Sequence, residues 1–135
     1  MIKELDYVIH QHNAYRAGKH YDLRIVYPKK KAMASFALPK AKFPDFGERF
    51  LLIKGPDHSI KEWLGPHDDI EKGKFGGGSF DIIQIGKMEL LGWGSRHITF
   101  RITEGKINGK FSLIKMGRGR RAKNWLLIRS KEKIK

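Results

Sequence analysis

Apolar residues in this chain come in short runs at a spacing of two, and none keeps helical spacing over three turns. The runs are Tyr7-Val8-Ile9, Tyr21 to Tyr27, Ala34 to Leu38, Phe50 to Ile53, Ser79 to Ile85, His97 to Ile102, Lys110 to Lys115 and Trp125 to Ile128. Gly, Pro, Asn or clustered charge separates them; one run stops at Pro39, another at Gly55-Pro56. Glu104 to Gly109 reads as a hairpin connection, with Asn108-Gly109 supplying positive φ. Short strands leave costly open edges unless the sheet closes on itself. The expected fold is therefore mostly β: a single domain over residues 1–135, a closed or nearly closed barrel of about eight strands with little helix. A chain of 135 residues is long enough to bury one real core.

One strand carries chemistry. In Lys19-His20-Tyr21-Asp22-Leu23-Arg24-Ile25, polar and apolar residues alternate. On a strand His20, Asp22 and Arg24 would share one face, about 6–7 Å apart in succession, while Tyr21, Leu23 and Ile25 would point into a core. His12 lies a short loop upstream. Two imidazoles and a carboxylate form a mixed nitrogen and oxygen donor set that leaves coordination positions open, suited to Mn²⁺, Fe²⁺, Co²⁺ or Zn²⁺. Arg24 on the same face can grip a phosphate through parallel hydrogen bonds, or simply pair with Asp22. The alternative for the group is a surface strand with unrelated His and Asp.

The charge balance points to a polyanionic partner. Lys plus Arg number 28 and Asp plus Glu 14, a formal net charge of +14. A small domain this basic attracts polyanions, with nucleic acid first among them. With no Cys there is neither a disulfide framework nor a thiolate zinc site. The charged start, Met1-Ile2-Lys3-Glu4-Leu5-Asp6, lacks a signal-peptide core, and no apolar run is long enough to cross a membrane. The expected location is cytoplasmic, associated with the nucleoid.

Other segments divide between functional and structural readings. His58, after the Gly55-Pro56 break, sits on a strand-end loop and could contact phosphate or protonate a leaving oxygen. Lys72 to Ser79, with three consecutive glycines, is either a phosphate cradle or a bend into the next strand, the reading favoured here. Arg118, Arg120 and Arg121 lie in a basic loop that suits contact with a phosphate backbone, or is a solvated hairpin. Trp63, Trp93 and Trp125 could stack on bases, but core packing is the expectation for most of them. His10 falls near the site if the first strand extends that far; His97 reads as structural.

Taken together, these motifs resemble the 3′-phosphoesterase domain of DNA ligase D over nearly the whole chain. Tyr7 to Ala14 resembles the family's opening strand with its first metal histidine. His20-Tyr21-Asp22-Leu23-Arg24 resembles its most diagnostic motif. Phe36-Ala37-Leu38-Pro39-Lys40, Asp57-His58, the glycine run, Phe100-Arg101-Ile102, Gly105 to Gly109 and Trp125 to Ile128 follow in order. The resemblance implies a β-barrel enzyme, most active with Mn²⁺, that removes a 3′-phosphate from DNA and in many members also a terminal 3′-ribonucleotide. It implies His12, His20 and Asp22 as metal ligands and Arg24 and His58 as phosphate-site residues, with Lys40 and Arg49 adding positive charge. The implied partners are DNA 3′ ends, as primer-template or duplex, and separate ligase and polymerase chains.

The chain also departs from the family pattern. The loop between His12 and His20 is about two residues longer, an insertion that costs little. Asn13 stands for the usual Asp, Pro56 for an acidic residue, and Glu62 or Trp63 falls near the place of a family Tyr. The chain starts just before the first strand, without the arm linked to the ribonucleotide step, so phosphate removal is the expected activity. Two rival readings remain: a non-catalytic nucleic-acid-binding barrel, and a metal phosphatase for small molecules.

Overall fold

The computed structural model describes residues 3–16, 18–70, 77–118 and 123–133. Eight strands form in the places that the alternation marks, most of them longer than the runs. They are β1 (Lys3–Ala14), β2 (Gly18–Val26), β3 (Met33–Leu38), β4 (Arg49–Lys54), β5 (Gly78–Trp93), β6 (His97–Ile102), β7 (Gly109–Lys115) and β8 (Asn124–Arg129). One helical turn, α1 (Ile60–Trp63), interrupts them.

The strands close into a barrel in the order β1-β2-β3-β4-β8-β7-β6-β5, every neighbour antiparallel. The closing seam between β1 and β5 runs from Lys3↔Leu90 to Ala14↔Gly78 and carries a bulge at Ile9/His10. Such a bulge adds local twist and re-aims side chains.

The barrel interior takes one residue in two. Ile9, Leu23, Ile25, Phe36, Leu52, Phe100, Phe111 and Leu127 are fully buried there. Fully burying a side chain of this size contributes about 1.5–3 kcal/mol, so these residues fix each strand's register. Tyr21 joins the same face but only at the edge of the core, half-buried.

The other face of β2 is not the open strand surface of the alternative reading. Asp22 and Arg24 are buried, and so are His10 and His12 on β1. The cause is the segment after β4, which folds back over the outer wall of the barrel. His58 and Met33 exchange backbone hydrogen bonds of 2.9 Å, and Gly55 N–H donates to the Ser35 carbonyl at 2.9 Å. Then α1 begins: Ser59 caps it by accepting from the Glu62 N–H. A polar face thus becomes a buried polar layer between wall and cover.

Two glycines show where the backbone needs them. Gly78 opens β5 at φ +139°, and a Cβ there would lie 2.2 Å from the Asn13 carbonyl oxygen. That supports the strand-entry bend, while 73–76 of the glycine run lie outside the described residues. In the 103–108 connection, Gly105 and Gly109 take positive φ and Asn108 does not. Asn108 instead uses its side-chain amide to donate to the Gly105 carbonyl at 3.0 Å.

Candidate active site

Register assembles the site. On β1 and β2, His12 pairs directly with His20, and His10 with Asp22. Directly opposed residues on an antiparallel ladder share a face, so four polar side chains converge on the outer wall. His12 Nδ1 lies 3.3 Å from His20 Nε2 and 3.9 Å from Asp22 Oδ2, and His20 Nε2 lies 3.4 Å from Asp22 Oδ1. Donors about 2.0–2.2 Å from one metal in tetrahedral or octahedral geometry stand roughly 3.0–3.4 Å apart. The three donors fit one divalent ion on that test, since small side-chain adjustments close the remaining gap. Among the described residues this is the group of His, Asp and Glu with its ligand atoms gathered closely, all within 4.8 Å.

The rings are held in place from outside. His12 stacks on Phe80 at 4.2 Å between centroids and 16° between planes. Phe80 faces His12 across the β1–β5 seam. The Asp22 hydrogen bond raises the His20 imidazole above its usual range against the opposing effect of burial, and the Gly18 backbone adds to the rise. Burial works to raise the Asp22 carboxyl, but His20, Arg24 and His12 outweigh it and hold it below the usual carboxylate range. The site therefore keeps an ionised carboxylate inside a buried layer.

Arg24 lies beside the cluster. Its Nη2 donates to Asp22 Oδ2 at 3.4 Å and its Nη1 to His10 Nδ1 at 3.0 Å. Its Nε is buried without a hydrogen-bond partner among the described residues. The His10 Nε2–H donates to the Gly65 carbonyl at 2.6 Å, so Nδ1 is left as the acceptor that Arg24 needs. Burial, with Arg24 nearby, pushes the His10 imidazole below its usual range and keeps it neutral. His10 thus orients Arg24 and is turned away from the metal donors.

Trp63, at the end of α1, is the lid of this layer. The Arg24 guanidinium lies 4.3 Å over its ring. His58 meets it edge-on at 4.7 Å and His67 stacks on it at 3.5 Å. Burial, then the Arg24 charge, lowers the His58 imidazole, so it is neutral near neutral pH. Sequence reasoning placed His58 near the site and left Trp63, His67 and Phe80 out of it. The signal for Trp63 was its position five residues after His58, behind the Ser59-x-x-Glu62 cap.

The remaining predicted residues are not part of these contacts. Lys40, just past the end of β3, places its ammonium 5.1 Å over Phe50. Arg49 opens β4 opposite Ile128 and is exposed. Arg118 is exposed, and Arg120 and Arg121 lie outside the described residues. Asn13 ties two strands together, donating to Ser79 Oγ at 2.9 Å and Asp81 Oδ2 at 3.1 Å. The three tryptophans divide: Trp125 is core, Trp93 packs at its edge, and Trp63 covers the site.

No helix among the described residues is long and apolar enough to cross a membrane. The family model of the DNA ligase D 3′-phosphoesterase domain matches residues 10–115. The chain is 25% identical, over 133 residues, to the multifunctional non-homologous end joining protein LigD of Pseudomonas aeruginosa. That alignment covers 95% of this chain and 15% of LigD, so the chain spans a small fraction of its relative's length.

Proposed function

The chain belongs to the DNA ligase D 3′-phosphoesterase domain family, and we propose that it hydrolyses phosphate esters at DNA 3′ ends using a divalent metal on His12, His20 and Asp22. The observation that carries this reading is the spacing of those three donors, 3.3 to 3.9 Å, beside a buried arginine. A net charge of +14 supports a polyanionic substrate. Mn²⁺ is the proposed ion, with Co²⁺ or Zn²⁺ compatible with the same donors.

The reaction consumes one water and breaks the bond between the 3′ oxygen and phosphorus, leaving a 3′-hydroxyl and inorganic phosphate. A divalent ion at the cluster supplies Lewis-acid polarisation of a phosphoryl oxygen and makes water more acidic. Asp22 and the two imidazoles hold that position with one negative charge among them. Arg24, locked by Asp22, His10 and Trp63, has three N–H groups left over, directs one or more of them toward a phosphoryl oxygen and offsets charge as the transfer proceeds. His58, neutral near neutral pH, offers an N–H to the phosphate or to the departing 3′ oxygen. Trp63 and Phe80 keep bulk water from the layer and so strengthen each of these interactions. Lys40, Arg49 and the basic loop with Arg118, Arg120 and Arg121 contact the strand's backbone.

The substrate is a primer-template or duplex with a 3′-phosphate, and a terminal 3′-ribonucleotide is the second candidate. The 3′-hydroxyl product is what a DNA polymerase extends and a DNA ligase seals, which makes those enzymes the functional partners. The test is a labelled primer-template with a 3′-phosphate, incubated with Mn²⁺, with EDTA and with His20→Ala. Conversion to a 3′-hydroxyl, lost in both controls while His20→Ala still binds DNA, is the expected result. Wild-type turnover by His20→Ala would sink the metal assignment.

A further inference from the structure

We propose that the cavity beside Tyr27 and Trp93 is a nucleobase-binding subsite for DNA whose 3′-terminal strand is unpaired, a substrate form beyond the primer-template and duplex given above. The antiparallel order brings the start of β1, the 27–32 connection, the end of β4, the 94–96 hairpin and the end of β7 to one end of the barrel. Lys3, Lys29, Lys30, Lys54, Arg96 and Lys115 fall at that end. A cavity of about 490 Å³ opens there, lined by Tyr27, Leu90 and Trp93 and by Lys3, Lys29 and Lys30.

The chemistry of the walls selects the ligand. The Tyr27 and Trp93 rings pack on each other at 5.3 Å and 54°, both against the edge of the core, and the Lys30 ammonium lies 4.2 Å over Tyr27, which leaves Trp93 as the ring for a base to stack on. Rigid aromatic walls under a cationic rim are what single-stranded nucleic-acid sites use: the base stacks and the backbone meets the lysines. The cavity is within the range of about 300–1,000 Å³ that takes a small planar ligand. Asp57, the carboxylate beside Tyr27, is already engaged by the Tyr27 hydroxyl at 2.7 Å, Lys30 at 3.0 Å and Lys54 at 3.6 Å. Lys3 spans from β1 to the Pro28 carbonyl at 3.1 Å and keeps its charge at the rim.

Distance sets the register of the strand. Tyr27 stands five residues beyond Asp22 on the sequence, which at strand rise is about 17 Å. A polynucleotide advancing at least about 3.4 Å per nucleotide, the duplex rise, needs at most roughly five nucleotides to cover that span. The proposal rests on the polynucleotide part of the function given above, but its test reads binding and needs no turnover.

The experiment measures fluorescence anisotropy of labelled oligothymidylates of about two and about twelve nucleotides, lengths below and above that span. Both carry a 3′-phosphate, in EDTA, and thymidine monophosphate serves as competitor. Trp93→Ala is compared with Lys29→Glu, an exposed position whose change leaves the core intact. Each variant is expected to weaken the long oligonucleotide about five- to tenfold and to leave the short one unchanged. Long-oligonucleotide affinity equal to wild type in folded Lys29→Glu overturns the proposal. So does equal loss on both lengths, or competition by thymidine monophosphate as strong as by the long strand, which marks a site for a free nucleotide. If the length-dependent loss holds and wild-type protein with Mn²⁺ releases no phosphate, the subsite stands and the hydrolytic reading falls.

Discussion

His10→Ala should destabilise the protein by about 2–5 kcal/mol, although His10 is outside the metal donor set. The imidazole is 0% exposed and both of its nitrogens are engaged. Truncation leaves the Gly65 carbonyl and one Arg24 N–H without partners, each costing about 1–3 kcal/mol when buried. It also opens a space between the Trp63 and Phe80 rings, now 6.2 and 6.1 Å from the His10 ring. Water entering that space brings the loss toward the lower figure. His97→Ala is the control: His97 is exposed and its side chain pairs with the Thr99 hydroxyl at 3.0 Å, so its loss should cost no more than about 0.5 kcal/mol. Urea unfolding at constant m-value measures both. The native state favours neutral His10, because burial pushes its imidazole below the usual 6.5. Its stabilisation is therefore complete above that pH and fades as pH falls through the lower folded value. The gap between wild type and His10→Ala should narrow in acid. Equal stability of His10→Ala and His97→Ala would refute the claim that His10 holds Arg24.

Three further outcomes follow from the same geometry. Asp22→Asn removes the cluster's one anionic donor; titration calorimetry with Mn²⁺ should show a loss greater than the roughly 10–100-fold typical of an outer-shell partner. Gly78→Ala places a Cβ 2.2 Å from a backbone oxygen at φ +139°, and urea unfolding should show a cost of at least ~2 kcal/mol. Burial works to raise the Asp57 carboxyl, but hydrogen bonds from Tyr27 and Lys30 with the Lys54 charge hold it below the usual 3.8. Its contribution persists above that pH and is lost as pH falls through the folded value, so NMR titration should show the Asp57 pKa rising in Tyr27→Phe.

The barrel was legible because alternation and punctuation are local signals. Each of the eight runs has a core face set by its own residues and a boundary set by Gly, Pro or charge. His20, Asp22 and Arg24 were legible for the same reason, since a strand alone puts them on one face. His12 needed the register of β1 on β2, which a short loop of uncertain geometry separates in sequence. Burial of the site was not legible, because it depends on the exchange between His58 and Met33, two residues far apart in the chain. Trp63 looked like core for want of that contact. Asn108 shows the limit of turn chemistry: its neighbour Gly109 takes the positive φ, and the amide finds the Gly105 carbonyl instead.

The central claim is where the metal binds, and paramagnetic broadening tests it most directly. Mn²⁺ titrated into ¹⁵N-labelled protein should first broaden the amide signals around His12 and from His20 to Asp22. EDTA should restore them, and Asp22→Asn should abolish the effect at the same concentrations. Broadening centred elsewhere, such as at Asp68 and Asp69, or unchanged in Asp22→Asn, would contradict the account.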